Sequence, residues 1–418
     1  MSLAVLEGRD PHTNNMAAGR LEGSNYMGRY STRFTGFFIS CLLLAGCGGG
    51  NRSPMVPIAP MSLERPDAAV VGFAYVPNAF GNNISAYAIK ANGSLSPVAG
   101  SPFNTGSEPW GAALDPKGKF VFVTNLQSNN VSAYTIDVTS GALTPVAGSP
   151  FATGDNPYYI AVDPKGRFAY VANEGGFGSV SAYTIDATSG ALTPVTGSPF
   201  EAGSGTTGVA VDPRGKFAYV SNYTSGNVSA YTIDARTGAL TQLAGSPFAA
   251  GRGSDGIAVD AKGKFVYLGN ENSNNISAYT INVTSGALTP VTGSPFAAGS
   301  KPWDVAIDPA DKFVYVTNDG TSSNNVSAYT IDTTNGALTP VAGSPFGAGT
   351  GPVGVAIDPK GKFVYEANAQ SNNIYAYSID GASGALTPLA GSPFAAGDNP
   401  EIIVTCRLAG SACKPPPM

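Results

Sequence analysis

Apolar and polar positions along this chain fall into short runs, and the runs come in sets of four. One set comprises Ile160-Ala161-Val162 before Asp163, then Phe168 to Asn173, Val180 to Asp186, and Ala191 to Val195. The second run is rich in aromatic and β-branched residues, which fit a pleated sheet. The third alternates small or polar residues with large ones, the period-two signature of a strand. Asp163-Pro164-Lys165-Gly166 and Thr188-Ser189-Gly190 lie between runs and supply turn chemistry. Pro194 stands inside the fourth run, which suits only an exposed edge strand. No window keeps a helical period over a useful length.

The set recurs. The tetrapeptide GSPF ends at Phe103, Phe151, Phe200, Phe248, Phe296, Phe346 and Phe394, with spacings of 48, 49, 48, 48, 50 and 48. The Tyr of SAY (YAY in the last copy) recurs at Tyr87, Tyr134, Tyr183, Tyr231, Tyr279, Tyr329 and Tyr377. Four strands in a fixed period of this length predict one propeller blade per unit. The array begins and ends on partial units. Val70 to Asn78 matches the second run, so the first unit lacks its first strand. Glu401 to Thr405 matches the first run alone. Together they complete one blade. The expected fold is all-β: a seven-bladed β-propeller over residues 70–406, with four antiparallel strands per blade. Its C-terminal strand closes the ring on the N-terminal three, so that no sheet edge stays open.

Composition agrees with a globular β protein: 53 Gly, 32 Pro, 12% charged and 43% hydrophobic residues. A net charge of −5 argues against a nucleic-acid partner, which needs a basic face. One His and four Cys leave little for metal or thiol chemistry, so no metal and no cofactor are expected. No phosphate loop or dinucleotide fingerprint appears.

The N-terminal part reads differently. Residues 1–26 lack periodicity and form an extension or a start placed too early. In residues 27–46, Arg29 and Arg33 precede an apolar stretch, Phe34 to Leu44, too short to span a bilayer; this is a signal segment. It closes with Leu44-Ala45-Gly46-Cys47, which resembles the lipobox of bacterial lipoproteins. That resemblance implies cleavage before Cys47 and lipid on its sulfur. Residues 47–69, with Pro54, Pro57, Pro60 and Pro66, read as a tether, and residues 407–418 as a C-terminal tail. The expected place is the bacterial cell envelope, with a lipid anchor in the membrane and a monomeric domain outside the cytoplasm. There Cys406 and Cys413 are expected to pair.

The repeated pattern DPxGKF, YVxN, NNVSAYxID and xxxGALTPV resembles the bacterial β-propeller lactonase family and its YVTN-repeat relatives. Members include 6-phosphogluconolactonase and muconate-cyclising enzymes. The resemblance spans Val70 to Thr405 and implies the propeller fold. It also implies lactone chemistry by polar His, Glu and Arg residues at the channel mouth. This chain departs there. Its one His is His12, upstream of the propeller, so no catalytic residue carries over.

Comparing repeats within the chain separates scaffold from site. Asp115, Asp163, Asp212, Asp260, Asp308 and Asp358 recur before the turn into the second strand and read as turn caps. The first strand opens on unlike residues: Trp110, Tyr158, Thr207, Asp255, Trp303, Val353 and Glu401. A second variable set, including Glu174, Tyr223, Glu271 and Asp319, follows the second strand. Strand alternation puts both sets on one face, opposite the near-identical turns. The expected ligand site is Trp110, Tyr158, Tyr159, Asp255, Trp303, Asp304 and Glu401. Aromatic planes beside carboxylates suit sugar faces and hydroxyls, or a cation. The leading expectation is a non-catalytic module for a glycan, small molecule or protein. A lactonase-type hydrolase would have to use Glu108, Glu401 and Arg252. A purely structural surface protein is the third class.

Overall fold

Blade 3 shows how the pattern becomes structure. Pro157–Val162, Phe168–Asn173, Ser179–Ile185 and Leu192–Pro194 pair in that order, each antiparallel to the next. Residues 69–320, 323–410 and 412–416 are described in this computed structural model. Within them the same sheet forms seven times, so the fold is a seven-bladed β-propeller. The expectations for residues 1–68, lipidation of Cys47 among them, lie outside the described residues.

Each GSPF motif adds a two-residue strand, such as Phe200–Glu201, that pairs with the third strand beside the outer one. Two residues are too few to show a period, so the sequence pattern did not reveal this piece. The preceding Ser–Pro bond is cis in all seven copies.

The recurrent aspartates cap the turn into the second strand. Asp163 Oδ1 accepts the amides of Arg167 at 2.5 Å and Phe168 at 3.0 Å. Asp115, Asp212, Asp260, Asp308 and Asp358 repeat these bonds. These turns therefore need an acidic residue for local reasons, which is why they barely vary.

The core lies between blades. Tyr170 is fully buried, and its hydroxyl donates to Gly238 O of the next blade at 3.0 Å. Tyr219, Tyr267, Tyr315, Tyr365 and Tyr75 each reach the following blade in the same way. The Tyr365 bond to Gly93 joins blade 7 to blade 1 across the closure.

The closing strand is Val404–Ala409, paired with Val70–Asn78 through Phe73↔Cys406 and Tyr75↔Val404. It runs past Thr405, where the sequence match stops. The chain then returns as a further strand, Ala412–Lys414, tied back by the Cys406–Cys413 disulfide. Residues expected as a tail beyond residue 406 thus belong to the blade 1 sheet. The returning strand packs on the turn of blade 2. A Cβ on Gly118 would sit 1.9 Å from Cys413 O, and Gly118 also has φ +66. Only glycine meets both demands. Pro415 and Pro416 then line a cavity of about 290 Å³ at the turn-side end of the channel, walled by aliphatic residues such as Leu114, Val162, Val211 and Ile357.

Candidate functional site

The inner strands place two residues per blade at the channel mouth on the variable face. The first ring position holds Trp110, Tyr158, Thr207, Asp255, Trp303, Val353 and Glu401. The second is glycine in four blades and Tyr159, Asp304 or Ile402 in the others. Gly111 shows why glycine recurs: a Cβ there would lie 2.4 Å from Tyr158 O of the next blade. Close approach of neighbouring inner strands fixes the ring residues. Second-strand hydroxyls add to this from the preceding blade. Thr124 Oγ1 donates to Tyr158 O at 2.5 Å, Ser221 Oγ to Asp255 O at 2.5 Å, and Thr317 Oγ1 to Val353 O at 2.6 Å.

Three carboxyls are buried at the mouth: Asp255 is 2% exposed, Asp304 7% and Glu401 1%. Asp304 is well supplied. It accepts the amides of Val305 at 2.9 Å and Val355 at 3.0 Å. Glu401 receives the side-chain amide of Asn399 on Oε1, while Oε2 has no partner. Asp255 Oδ1 has none either. The same holds for the buried Tyr159 hydroxyl and for two indole donors, Trp110 Nε1 and Trp303 Nε1. The half-buried Trp110 and Tyr158 rings meet at 4.8 Å, tilted by 55°.

Electrostatics show that these groups converge. Burial pushes the Asp255 carboxyl well above the usual range, and the negative charges of Glu271 and Asp304 push it further. Glu401 is raised by burial and then by Glu108 and Asp319. Burial raises Asp304 to about 7, and Asp319 to about 6 although Lys301 opposes the shift. Tyr158 is raised by burial, Glu174, Asp255, Glu401 and Glu108. Blades 1, 2, 3, 5 and 6 therefore all direct acidic or phenolic groups toward one central space.

The structure thus brings Trp110, Tyr158, Tyr159, Asp255, Trp303, Asp304 and Glu401 to one mouth. Of the three residues named for hydrolysis it sets Arg252 apart from the other two. Glu108 and Glu401 influence each other across neighbouring blades. Arg252 is exposed and lines a different cleft of about 500 Å³ with Tyr223, Gly226, Ala250 and Asn272, three blades away from Glu401. Sequence reasoning did not place Glu271 in the site. It is buried, accepts from the Tyr223 hydroxyl at 2.5 Å and pairs with Lys301 at 3.1 Å. Its membership of the second variable set was the available signal. Among the described residues no group of three His, Cys, Asp or Glu side chains could hold a metal ion.

The seven blades define a β-propeller, and comparison with known proteins places it. The family model described as lactonase, 7-bladed beta-propeller, matches residues 69–151, 147–255, 198–304 and 230–403. The chain belongs to that family. A candidate 6-phosphogluconolactonase of Bacteroides fragilis is similar in structure, with a TM-score of 0.70 at 22% identity over 83% of this chain and 99% of its own. The periplasmic gluconolactonase PpgL of Pseudomonas aeruginosa has a TM-score of 0.70 at 20% identity, over 81% of this chain and 99% of its own. At such identities the likeness speaks for the fold. No curated protein matches the chain.

Proposed function

We propose that this protein is a non-catalytic binding module of the cell envelope, with its ligand at the variable mouth. The observation that carries this reading is the set of buried polar atoms without partners, Asp255 Oδ1, Glu401 Oε2, Trp110 Nε1, Trp303 Nε1 and the Tyr159 hydroxyl, at a mouth that also carries half-buried aromatic rings. Buried polar groups are nearly always hydrogen-bonded, and exceptions at a channel mouth point to a missing partner. The anchoring part of the proposal rests on Cys47. Ala69 leads into the ring at Val70 on the turn face, so a lipid on Cys47 would bias that face toward the membrane and the mouth away from it, through a tether long enough to let the ring tumble. Mass spectrometry of the native N-terminus should find a modified Cys47; an unmodified Cys47 rules the anchor out.

A second reading, lactone hydrolysis, draws on family membership and on the Glu108–Glu401 proximity. Burial raises both carboxyls, the direction in which a general acid or base is tuned. No imidazole stands in the described residues. Glucono-1,5-lactone turnover decides between the readings. The binding module shows no rate above buffer, while its melting temperature rises with ligand. Turnover abolished by Glu401→Gln would establish the hydrolase instead.

A further inference from the structure

We infer that the mouth takes a hydroxylated amine, a ligand carrying an ammonium group with hydroxyl oxygens beside it, as in an amino sugar. This rests on the binding reading above and specifies its ligand. The partnerless atoms at the mouth are two acidic oxygens, Asp255 Oδ1 and Glu401 Oε2, two indole donors, Trp110 Nε1 and Trp303 Nε1, and the Tyr159 hydroxyl, which can give or take a hydrogen bond. The carboxyls and indoles are arranged as two like pairs. Glu401 precedes the inner strand of blade 1, and Trp110 stands near the start of that of blade 2. Asp255 opens blade 5 and Trp303 blade 6. Each pair sets a carboxyl in one blade and an indole in the next, in the same rotational sense, on opposite sides of the ring. Both carboxyls act on Tyr158, so both face the same central space.

A ligand for such a pair must supply a cation and an acceptor together. An ammonium answers the carboxylate and sits well against an aromatic face. A hydroxyl oxygen accepts from the indole N–H. Charge narrows the choice further. Lys301 is already paired with Glu271, so it leaves the carboxyls of Asp255 and Glu401 uncompensated. A phosphorylated ligand would set its own negative charge against theirs. A neutral polyol would satisfy the indoles but bring no counter-charge.

The test is calorimetric titration of the full-length protein with D-glucosamine, D-glucose, N-acetyl-D-glucosamine and D-glucosamine 6-phosphate. Glucosamine should bind at least tenfold more tightly than glucose or the N-acetyl form, which lacks the charge. The 6-phosphate should bind at least tenfold more weakly than glucosamine. Asp255→Asn and Glu401→Gln keep side-chain shape and should together erase the amine preference. Both variants should melt no lower than the parent, which separates lost recognition from lost folding. Glucose binding as tightly as glucosamine would overturn the amine inference while leaving a binding module in place. An amine preference that survives both substitutions would also overturn it. Absence of binding by all four sugars would overturn this inference, and thermal shifts by other ligands would show whether the binding module survives it.

Discussion

Asp163 directly follows the inner strand of blade 3 where it meets a turn, Asp255 stands in the inner strand of blade 5 at the channel mouth, and both are buried. Their surroundings differ. Asp163 accepts two amides on Oδ1 and the Arg167 guanidinium on Oδ2 at 3.1–3.2 Å. Asp255 has an oxygen with no partner and three further carboxylates, Glu271, Asp304 and Glu174, acting on it. The same residue type therefore stabilises one face of the ring and burdens the other. Removing a satisfied carboxylate strands its donors, whereas removing an unsatisfied one relieves desolvation.

The comparison can be broken most forcefully at the turn face. Asp163→Ala should destabilise the protein by about 3 kcal/mol, because buried amides lose a charged acceptor. Urea denaturation measures this, and ligand affinity at the mouth should stay unchanged. A loss below about 0.5 kcal/mol would mean that the turn does not need its cap.

The closing hairpin should respond nearly as strongly. Cys413→Ser opens a link between residues seven apart, and loop entropy for that separation gives a loss of about 2.5 kcal/mol. A reduced and an oxidised sample with equal urea midpoints would show that the returning strand holds without its bridge.

An opposite sign is expected inside blade 7. Glu366 stands where the other blades have Val76, Val123, Val171, Val220, Leu268 and Val316. It pairs across the sheet with Tyr375, where the others have Ser, and its Oε1 has no partner. Burial raises its carboxyl from 4.5 to about 8. Between those values the folded protein keeps a proton that the unfolded chain has released, so stability falls as pH rises through this window. Glu366→Val should raise stability by about 2 kcal/mol at pH 8 and leave it nearly unchanged below pH 4.5. Urea midpoints across that window check both statements; an equal gain at both ends would refute the titration account.

The smallest effect belongs to the rim. Lys301 is half exposed, so Lys301→Ala should cost at most about 1 kcal/mol despite its ion pair with Glu271. Its charge matters more than its contact. Removing it should tighten binding of a cationic ligand, and weaker glucosamine binding would show that Lys301 contacts the ligand favourably.

The repeat carried its own structure in the amino-acid sequence. Strand period, turn chemistry and the capping aspartates are local, so seven copies reported the same blade seven times. The two partial units gave the blade count and the closure. Comparing copies also separated the varied face from the uniform one, which is how Trp110, Tyr158, Asp255, Trp303 and Glu401 could be named together. What the tertiary structure alone decided is which of these are satisfied. Asp304 obtains the Val355 amide from a neighbouring blade, 51 residues along the chain, while Asp255 and Glu401 are each left with an oxygen unanswered. Glu271 meets Lys301 and Tyr223 only because three successive blades adjoin at the rim. Arg252 faces its own cleft, away from Glu401. The hairpin after Val404 likewise depends on its seat against Gly118 of blade 2. Hydrogen-bond satisfaction and burial are set by partners about one repeat away, and no local pattern encodes those partners until the ring has formed.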